Sequence, residues 1–424
     1  MTLLIILAFI IGYVAITLEH SIKINKAATA LVTGVICWTI YVLSEPDKHL
    51  VTEQLMEHLG EVSGILFFLL GAMTIVELID ANDGFQIITD RIKTKSAVRL
   101  LWIIAVITFF LSAILDNLTT TIVIVSLLRK LIADKGQRLF FIGIAVIAAN
   151  AGGAWSPLGD VTTTMLWIGG QITATNIIKG LFIPSVVCLL LPLLIASFRL
   201  RGTVEAVTRD ENEVLKPVFH RNFVFILGIS VLIFVPFFKT VTHLPPFMAI
   251  LLGLGFIWIV TEILHSQSDT ADKHALTVVY ALRKIDTPSI LFFLGILISI
   301  AALQSTGQLT QLAQWLNTTI KNDTVIVTCI GLLSAIVDNV PLVAASQGMY
   351  GLEQYPTDSF FWQFLAYATG TGGSALIIGS AAGVAAMGME KITFFWYLKR
   401  ITWLAVIGYF AGIIIYLLQY RLTH

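Results

Sequence analysis

The chain has 424 residues, of which 57% are hydrophobic and 12% charged, where an ordinary soluble domain carries about 25% charged residues. A single water-soluble core cannot hide that much apolar surface, whereas a bilayer can. The 26 lysines and arginines balance 26 aspartates and glutamates, so net charge gives no ground for a nucleic-acid partner. Cys37, Cys188 and Cys329 show no paired spacing, which excludes a disulfide framework and a cysteine zinc site.

The first segment, MTLLIILAFIIGYVAIT, lacks a basic leader and a small-residue cleavage site, and is read as a membrane helix rather than a signal peptide. Apolar runs long enough to cross about 30 Å of hydrocarbon follow near 27–44, 64–80, 178–197, 222–239, 246–264, 289–305 and 402–418. Between 100 and 128 lie two apolar arms joined at Asp116-Asn117. Arg91, Lys93, Lys95 and Arg99 flank them on one side and Arg129, Lys130, Lys135 and Arg138 on the other. Positive flanks mark the cytoplasmic face, and the second arm, at 1.5 Å per residue, is too short to cross. The spacing therefore predicts a hairpin that enters from the cytoplasm and returns there. Residues 324–352 form a second such hairpin around Asp338-Asn339, followed by Glu353 and Asp358 without lysine or arginine, so it is expected to enter from outside. Basic loops at 199–221 and 265–288 inside, with an acidic loop at 45–62 outside, complete a path with both termini outside.

The chain also repeats itself. SAILDN (112–117) returns as SAIVDN (334–339), ILFFLLG (65–71) as ILFFLGI (290–296), NAGG (150–153) as GTGG (370–373), and Trp38 as Trp258, all at offsets of 220–225 residues. With hairpins entering from opposite faces, the expected fold is an all-α polytopic membrane protein of two inverted repeats, 1–200 and 201–424. Each repeat would carry a re-entrant hairpin and a broken transmembrane helix. The broken helices are placed at 139–169, unwound across Asn150–Asp160, and at 361–388, unwound across Thr369–Ser374.

Irregular backbone at membrane depth is tolerated only where it is buried in protein or lines a cavity, so four such interruptions point to one shared site. Their side chains are oxygen donors: Asp116, Asn117, Thr120, Asn150, Ser156, Asp160, Thr162, Thr163, Asp338, Asn339, Thr371, Ser374 and Ser380, with Ser334 as a supporting donor. Sodium suits several oxygens of low net charge, and carboxyl ends of half-helices add partial negative charge. No histidine or cysteine stands there to favour a softer metal. Burial disfavours an ionised carboxylate, so an intramembrane aspartate can hold a proton or help bind sodium, but not both well. That competition suffices for exchange.

Structural readings stand beside these. Asp116, Asp338 and Asp160 can each cap the helix that follows. The threonines can bond back to their own helices. Gly152, Gly153, Gly372 and Gly373 can be close-packing positions, and Glu19, His20 and Glu77 can snorkel to headgroups.

Taken together, LEHSIKINKAATAL, SAILDNLTTTIV, ANAGGAWSPLGDVTTTMLW and SAIVDNVPLVAA resemble the NhaD-type sodium/proton antiporters of the ion transporter superfamily, over about residues 10–418. The resemblance implies two hairpins and two broken helices around the site, often in a homodimer, and a transport domain moving against a fixed scaffold. It also implies required roles for Asp116, Asn117, Asn150, Asp160, Thr162, Thr163, Ser334, Asn339 and Ser374. Sodium binding through Asp116, Asn117, Asn150, Asp160 and Asn339 is expected, with Na+ or Li+ and H+ as substrates and no resident cofactor. A bacterial inner membrane and a part in pH homeostasis are the expected setting. An anion carrier of the same fold, for dicarboxylates or arsenite, is the alternative. An intramembrane aspartyl protease built on Leu158-Gly159-Asp160 is a remote one, and no motif supports another enzyme.

Overall fold

A computed structural model describes residues 2–17, 19–89, 92, 94–200, 202–204, 218–264 and 277–423. Arg91, Lys93 and most of the expected basic loops at 199–221 and 265–288 lie outside the described residues. Among the described residues there are twenty-one helices, and the β pairing is a single bridge between Ser96 and Thr203. Nine of the helices among the described residues are long and apolar enough to cross a membrane. The protein is therefore an all-α polytopic membrane protein.

The chain begins with α1 (Thr2–Thr17), the one-turn α2 (Glu19–Ile22), and α3 (Lys26–Ser44), whose first turn is capped by Asn25 accepting from the Ala27 amide. Next comes α4 (Lys48–Ala81), 34 residues long and capped by Asp47. The acidic segment expected as a loop over 45–62 is thus helical from Lys48 onward. Its run of strong helix formers, Glu53-Gln54-Leu55-Met56-Glu57, meets no glycine until Gly60 and no proline at all. At 1.5 Å per residue α4 is about 51 Å long, so its first turns project beyond the hydrocarbon.

After α5 (Gln86–Thr89), α6 (Ala97–Leu115) and α7 (Asn117–Leu131) meet at Asp116. The 19 residues of α6 are long enough to span, whereas α7, with 15, extends about 22 Å. Then come α8 (Lys135–Ala154), α9 (Val161–Ile168), α10 (Ala174–Arg199), α11 (Val218–Thr242), α12 (Pro246–Leu264), α13 (Val278–Lys284), α14 (Thr287–Ser305) and α15 (Gln308–Thr319). The second pair of short arms is α16 (Asp323–Leu333) and α17 (Asn339–Met349), 11 residues each. The chain closes with α18 (Phe360–Gly372), α19 (Ala381–Glu390), α20 (Phe394–Arg400) and α21 (Thr402–Thr423).

Both expected interruptions are present, but each lies further along the chain than its glycines suggested. α8 continues through Asn150 to Ala154, leaving 155–160 unwound, and α18 continues to Gly372, leaving 373–380 unwound. The glycines are used for close approach. A Cβ on Gly152 would collide with the Phe109 carbonyl, and one on Gly372 with the Gly331 carbonyl. These contacts seat α6 on α8 and α16 on α18.

The second arms cross over: α7 packs against α19, and α17 against α9. Buried charge fixes one end of this arrangement. Glu390, 5% exposed at the end of α19, accepts from Arg129 Nε at the end of α7 and from Arg138 Nε (3.2 Å) at the start of α8. Arg129 also donates to the Met389 carbonyl. At the other end the Asp358 carboxylate accepts from Thr173 N (2.6 Å), Thr173 Oγ1 (2.8 Å) and Asn176 Nδ2 (2.6 Å) at the start of α10.

The closest helix pair outside this core is α3 with α14. A Cβ on Gly34 would lie 2.9 Å from the Gly295 carbonyl oxygen, and one on Gly295 would lie 2.5 Å from the Ala30 carbonyl carbon. The colliding atoms are backbone and cannot rotate away. Gly295→Val is therefore expected to destabilise the protein by about 1–3 kcal/mol or more, read as a lower melting temperature in detergent. An unchanged melting temperature would mean that the two backbones are not in contact.

Candidate functional site

Asp160 ends the first unwound segment and caps α9. Its Oδ1 accepts from the Thr162 amide (2.9 Å) and from Thr162 Oγ1 (2.8 Å), and the residue is 1% exposed. A buried carboxylate needs more donors than its own helix supplies, and they come from the two hairpin tips. Asn117, the first residue of α7, donates from Nδ2 to Asp160 Oδ2 at 2.6 Å. Asn339, the first residue of α17, approaches both oxygens at 3.4 and 3.3 Å.

The network continues through α8. Asn150 accepts from Asn117 Nδ2 (3.0 Å) and donates to Ser374 Oγ and Ser380 Oγ, each at 2.9 Å. Ser380 in turn caps α19 by accepting from the Gly383 amide (3.2 Å). One buried hydrogen-bonded chain therefore joins Asp160, Asn117, Asn339, Asn150, Ser374 and Ser380, drawn from all four interrupted elements.

The electrostatics follow from the same breaks. Carboxyl ends of α6, α8, α16 and α18 meet amino ends of α7, α9, α17 and α19 around this centre. Helix amino ends attract anions, but each of these is already capped from its own chain. Asp116 accepts from the Thr119 amide, Asp160 from Thr162, Asp338 from Val340 and Ser380 from Gly383. Three of the four caps are carboxylates.

The remaining candidate residues fall outside the hydrogen-bonded chain. Asp116 turns its carboxylate to Thr119, accepting from its amide and hydroxyl at 2.8 Å each. Asp338 forms an ion pair with Lys26 at 3.6 Å. Ser156 donates to the Ala113 carbonyl (2.5 Å), Thr163 to the Asp160 carbonyl (2.9 Å) and Thr371 to the Tyr367 carbonyl (2.6 Å). Ser334 donates to the carbonyls of Gly331 (2.7 Å) and Thr369 (3.2 Å). Ser112, 222 residues earlier, does the matching job by donating to the Ala149 carbonyl (2.6 Å). The hydroxyls of Thr120 and Thr121 are buried and have no hydrogen-bond partner among the described residues.

A family model described as citrate transporter matches residues 3–372. Sodium/proton antiporter 1 of Arabidopsis thaliana is 49% identical over 98% of this chain and 72% of its own length. Sodium/proton antiporter 2 of the same plant is 48% identical over 97% and 98%. The Na(+)/H(+) antiporter NhaD of Vibrio cholerae is 31% identical over 97% of this chain and 91% of its own. The chain belongs to the NhaD-type antiporter family.

Of the residues to which the family resemblance assigns roles, Asn117, Asn150, Asp160, Thr162, Asn339 and Ser374 meet at the Asp160 centre. Asp116, Thr163 and Ser334 hold the backbone around it. Sequence reasoning did not single out Lys26, although it lies inside the family-like segment LEHSIKINKAATAL. A lone lysine opening an apolar span was the available signal.

Asp116 also carries backbone strain. Its φ of 89° with ψ of 160° lies in a region that is essentially reserved for glycine and costs a side-chain-bearing residue about 1–3 kcal/mol. Only a residue whose side chain has work to do is expected to stay there. Asp116→Gly is therefore expected to melt higher than Asp116→Ala, with exchange lost in both. Equal melting of the two variants would remove the strain argument, and exchange surviving in either would remove the role of the carboxylate.

Proposed function

We propose that the Asp160 centre is where a sodium or lithium ion and a proton compete, and that this competition drives the exchange of Na+ for H+ across the membrane. Exchange as such accords with the sodium/proton antiporters that match almost the whole chain, in which the protein acts as a carrier and not an enzyme. The site assignment rests on one observation above the others. Four half-helix amino ends that would otherwise attract an anion are capped from within, three of them by carboxylates, and with Asp338 paired to Lys26 the charges of Asp160 and Asp116 still favour a cation.

That observation also weighs against the anion-carrier alternative suggested by the citrate transporter description. A dicarboxylate would have to displace Asp160, Asp116 and Asp338 from the donors it needs. The protease reading requires water and a peptide at Asp160, whose two oxygens are occupied by Thr162, Asn117 and Asn339.

The chemistry can be followed atom by atom. Ionised Asp160 is stabilised by charge-assisted bonds from the two asparagine amides. A half-turn of Asn117 or Asn339 about its terminal bond presents an oxygen instead of NH2 to the space beside the carboxylate. A hard cation then finds Asp160 together with amide and hydroxyl oxygens of Asn150, Ser374 and Ser380 nearby. A proton on Asp160 removes the charge that holds the cation, so the site carries one or the other. Asp116, one residue before Asn117, adds negative charge at the same tip.

We read the chain further as two inverted repeats, 1–200 and 201–424, with re-entrant hairpins at α6–α7 and α16–α17. Support comes from contacts that recur about 220 residues apart: Ser112 and Ser334 on helix carbonyls, Gly152 and Gly372 in close approach, and Asn117 and Asn339 on Asp160. A homodimer and a bacterial inner membrane complete the proposal, the latter supported by the NhaD relatives from Vibrio and other bacteria.

The decisive test is sodium-triggered dissipation of a pH gradient in membrane vesicles. Asp160→Asn is expected to be silent while remaining in the membrane. In the wild type, half-saturating sodium is expected to rise as pH falls, approaching tenfold per pH unit where the site is mostly protonated. Sodium affinity independent of pH through the active range would remove direct competition, and a response to citrate or succinate instead would restore the anion reading.

A further inference from the structure

One charged contact near the centre has no counterpart across the repeat. Asp116 and Asp338 occupy matching positions 222 residues apart. Asp338 is ion-paired with Lys26 at 3.6 Å, whereas among the described residues Asp116 takes part in no ion pair. Lys26 is the first residue of α3. Its amide donates to Glu19 Oε1 (3.1 Å), and its ammonium lies 4.3 Å from the centroid of the Phe292 ring on α14.

The lysine also stands in the way in. An open cavity of about 590 Å³ is bounded by Glu19, Lys26 and Asp286 at its polar rim, and it reaches Leu118 and Ala381. Those two residues directly follow Asn117 and Ser380 of the central network. A smaller cavity of about 60 Å³ shares Glu19, Lys26 and Val384 with it and includes Asp338 and Tyr13. A cation entering the large cavity therefore shares it with the Lys26 ammonium, whose charge is cancelled by a hairpin-tip carboxylate.

We propose that Lys26 is a tethered counter-cation that gates this approach, with Asp338 serving as its partner and not as the coupling carboxylate. Lys26 belongs to the tightly packed α3–α14 pair, while Asp338 belongs to the hairpin whose next residue, Asn339, touches Asp160. Any movement of that tip relative to α3 must separate the pair. While paired, the ammonium holds the place a sodium ion would take at Asp338 and cancels that carboxylate's charge beside the approach. The coupling is then left to Asp160 and Asp116. This inference rests on the Asp160 centre as the destination of the cation, a reading that Asp160→Asn tests independently.

The charge logic predicts opposite shifts that cancel. In vesicles, Lys26→Gln frees a carboxylate in the approach, and half-saturating sodium is expected to fall about three- to tenfold. Asp338→Asn leaves an unneutralised ammonium and is expected to raise it by a similar factor. The double variant is expected to return close to wild type. Singles that leave half-saturation unchanged, singles that shift it in the same direction, or a double variant showing no recovery would overturn the gate.

Chemical restoration keeps the test decisive if a single variant does not reach the membrane. Lys26→Cys is made with Cys329→Ser, since Cys329 is exposed while Cys37 and Cys188 are buried. Modification with an aminoethyl thiosulfonate, which rebuilds an ammonium, is expected to return half-saturating sodium to the wild-type value. A methyl thiosulfonate is expected to leave it low. Equal effects of the two reagents would show that bulk, not charge, acts at this position, and would end the proposal. Loss of wild-type exchange in Asp160→Asn bears only on the central site, so failure of the gate and failure of the centre give different results.

Discussion

A carboxylate at membrane depth must be supplied with donors, and the architecture around Asp160 follows from that need. Its own helix contributes the Thr162 amide and hydroxyl. The remaining lone pairs require side chains from elsewhere, and Asn117 and Asn339 bring the tips of both hairpins to one point. Asn150 then spends its amide on Ser374 and Ser380 across the second break. Because a partly satisfied buried network costs more than none, each of these elements fixes the position of the others. Helix interruptions that would be a liability in lipid become tolerable because their free backbone groups face this centre.

At the periphery, buried charges tie the ends of these elements to one another. Glu390 joins the ends of α7, α8 and α19 through two arginines, so the outer ends of the crossing elements form one unit. Asp358 does the same at the start of α10. The α3–α14 pair, in contrast, is held by backbone contact at Gly34 and Gly295. Lys26 to Asp338 is an ionic link from that rigid pair to a hairpin tip, and at 3.6 Å with both side chains partly exposed it is among the weaker ones. A weak, breakable contact is what the proposed gate requires.

Much of this was legible in the sequence because membrane burial makes polar residues conspicuous. Asn117, Asn150, Asp160 and Asn339 stood out as amides and acids in apolar surroundings, and in three dimensions they touch. The positions of the breaks were less legible. Glycine content suggests the unwound points, but Gly152 and Gly372 remain helical and serve contact with neighbouring carbonyls, while the chain opens after them. Composition cannot tell a glycine that frees a backbone from one that admits a neighbour. The start of α4 was hidden for a related reason, since charge in 45–62 reads equally as loop or as a helix leaving the bilayer.

Charged partners were the least legible feature, because they pair across great sequence distance. Arg129 and Arg138 suggest a cytoplasmic flank by their sign but give no hint of Glu390, more than 250 residues away. The same holds for Lys26 and Asp338. Sequence symmetry pairs Asp338 with Asp116 and so invites one role for both. The fold separates them: Asp116 is strained, bonded to Thr119 and, among the described residues, in no ion pair, while Asp338 is relaxed and neutralised. A repeat that duplicates a residue does not duplicate its surroundings, and the proposal of separate roles for the two aspartates rests on that inequality.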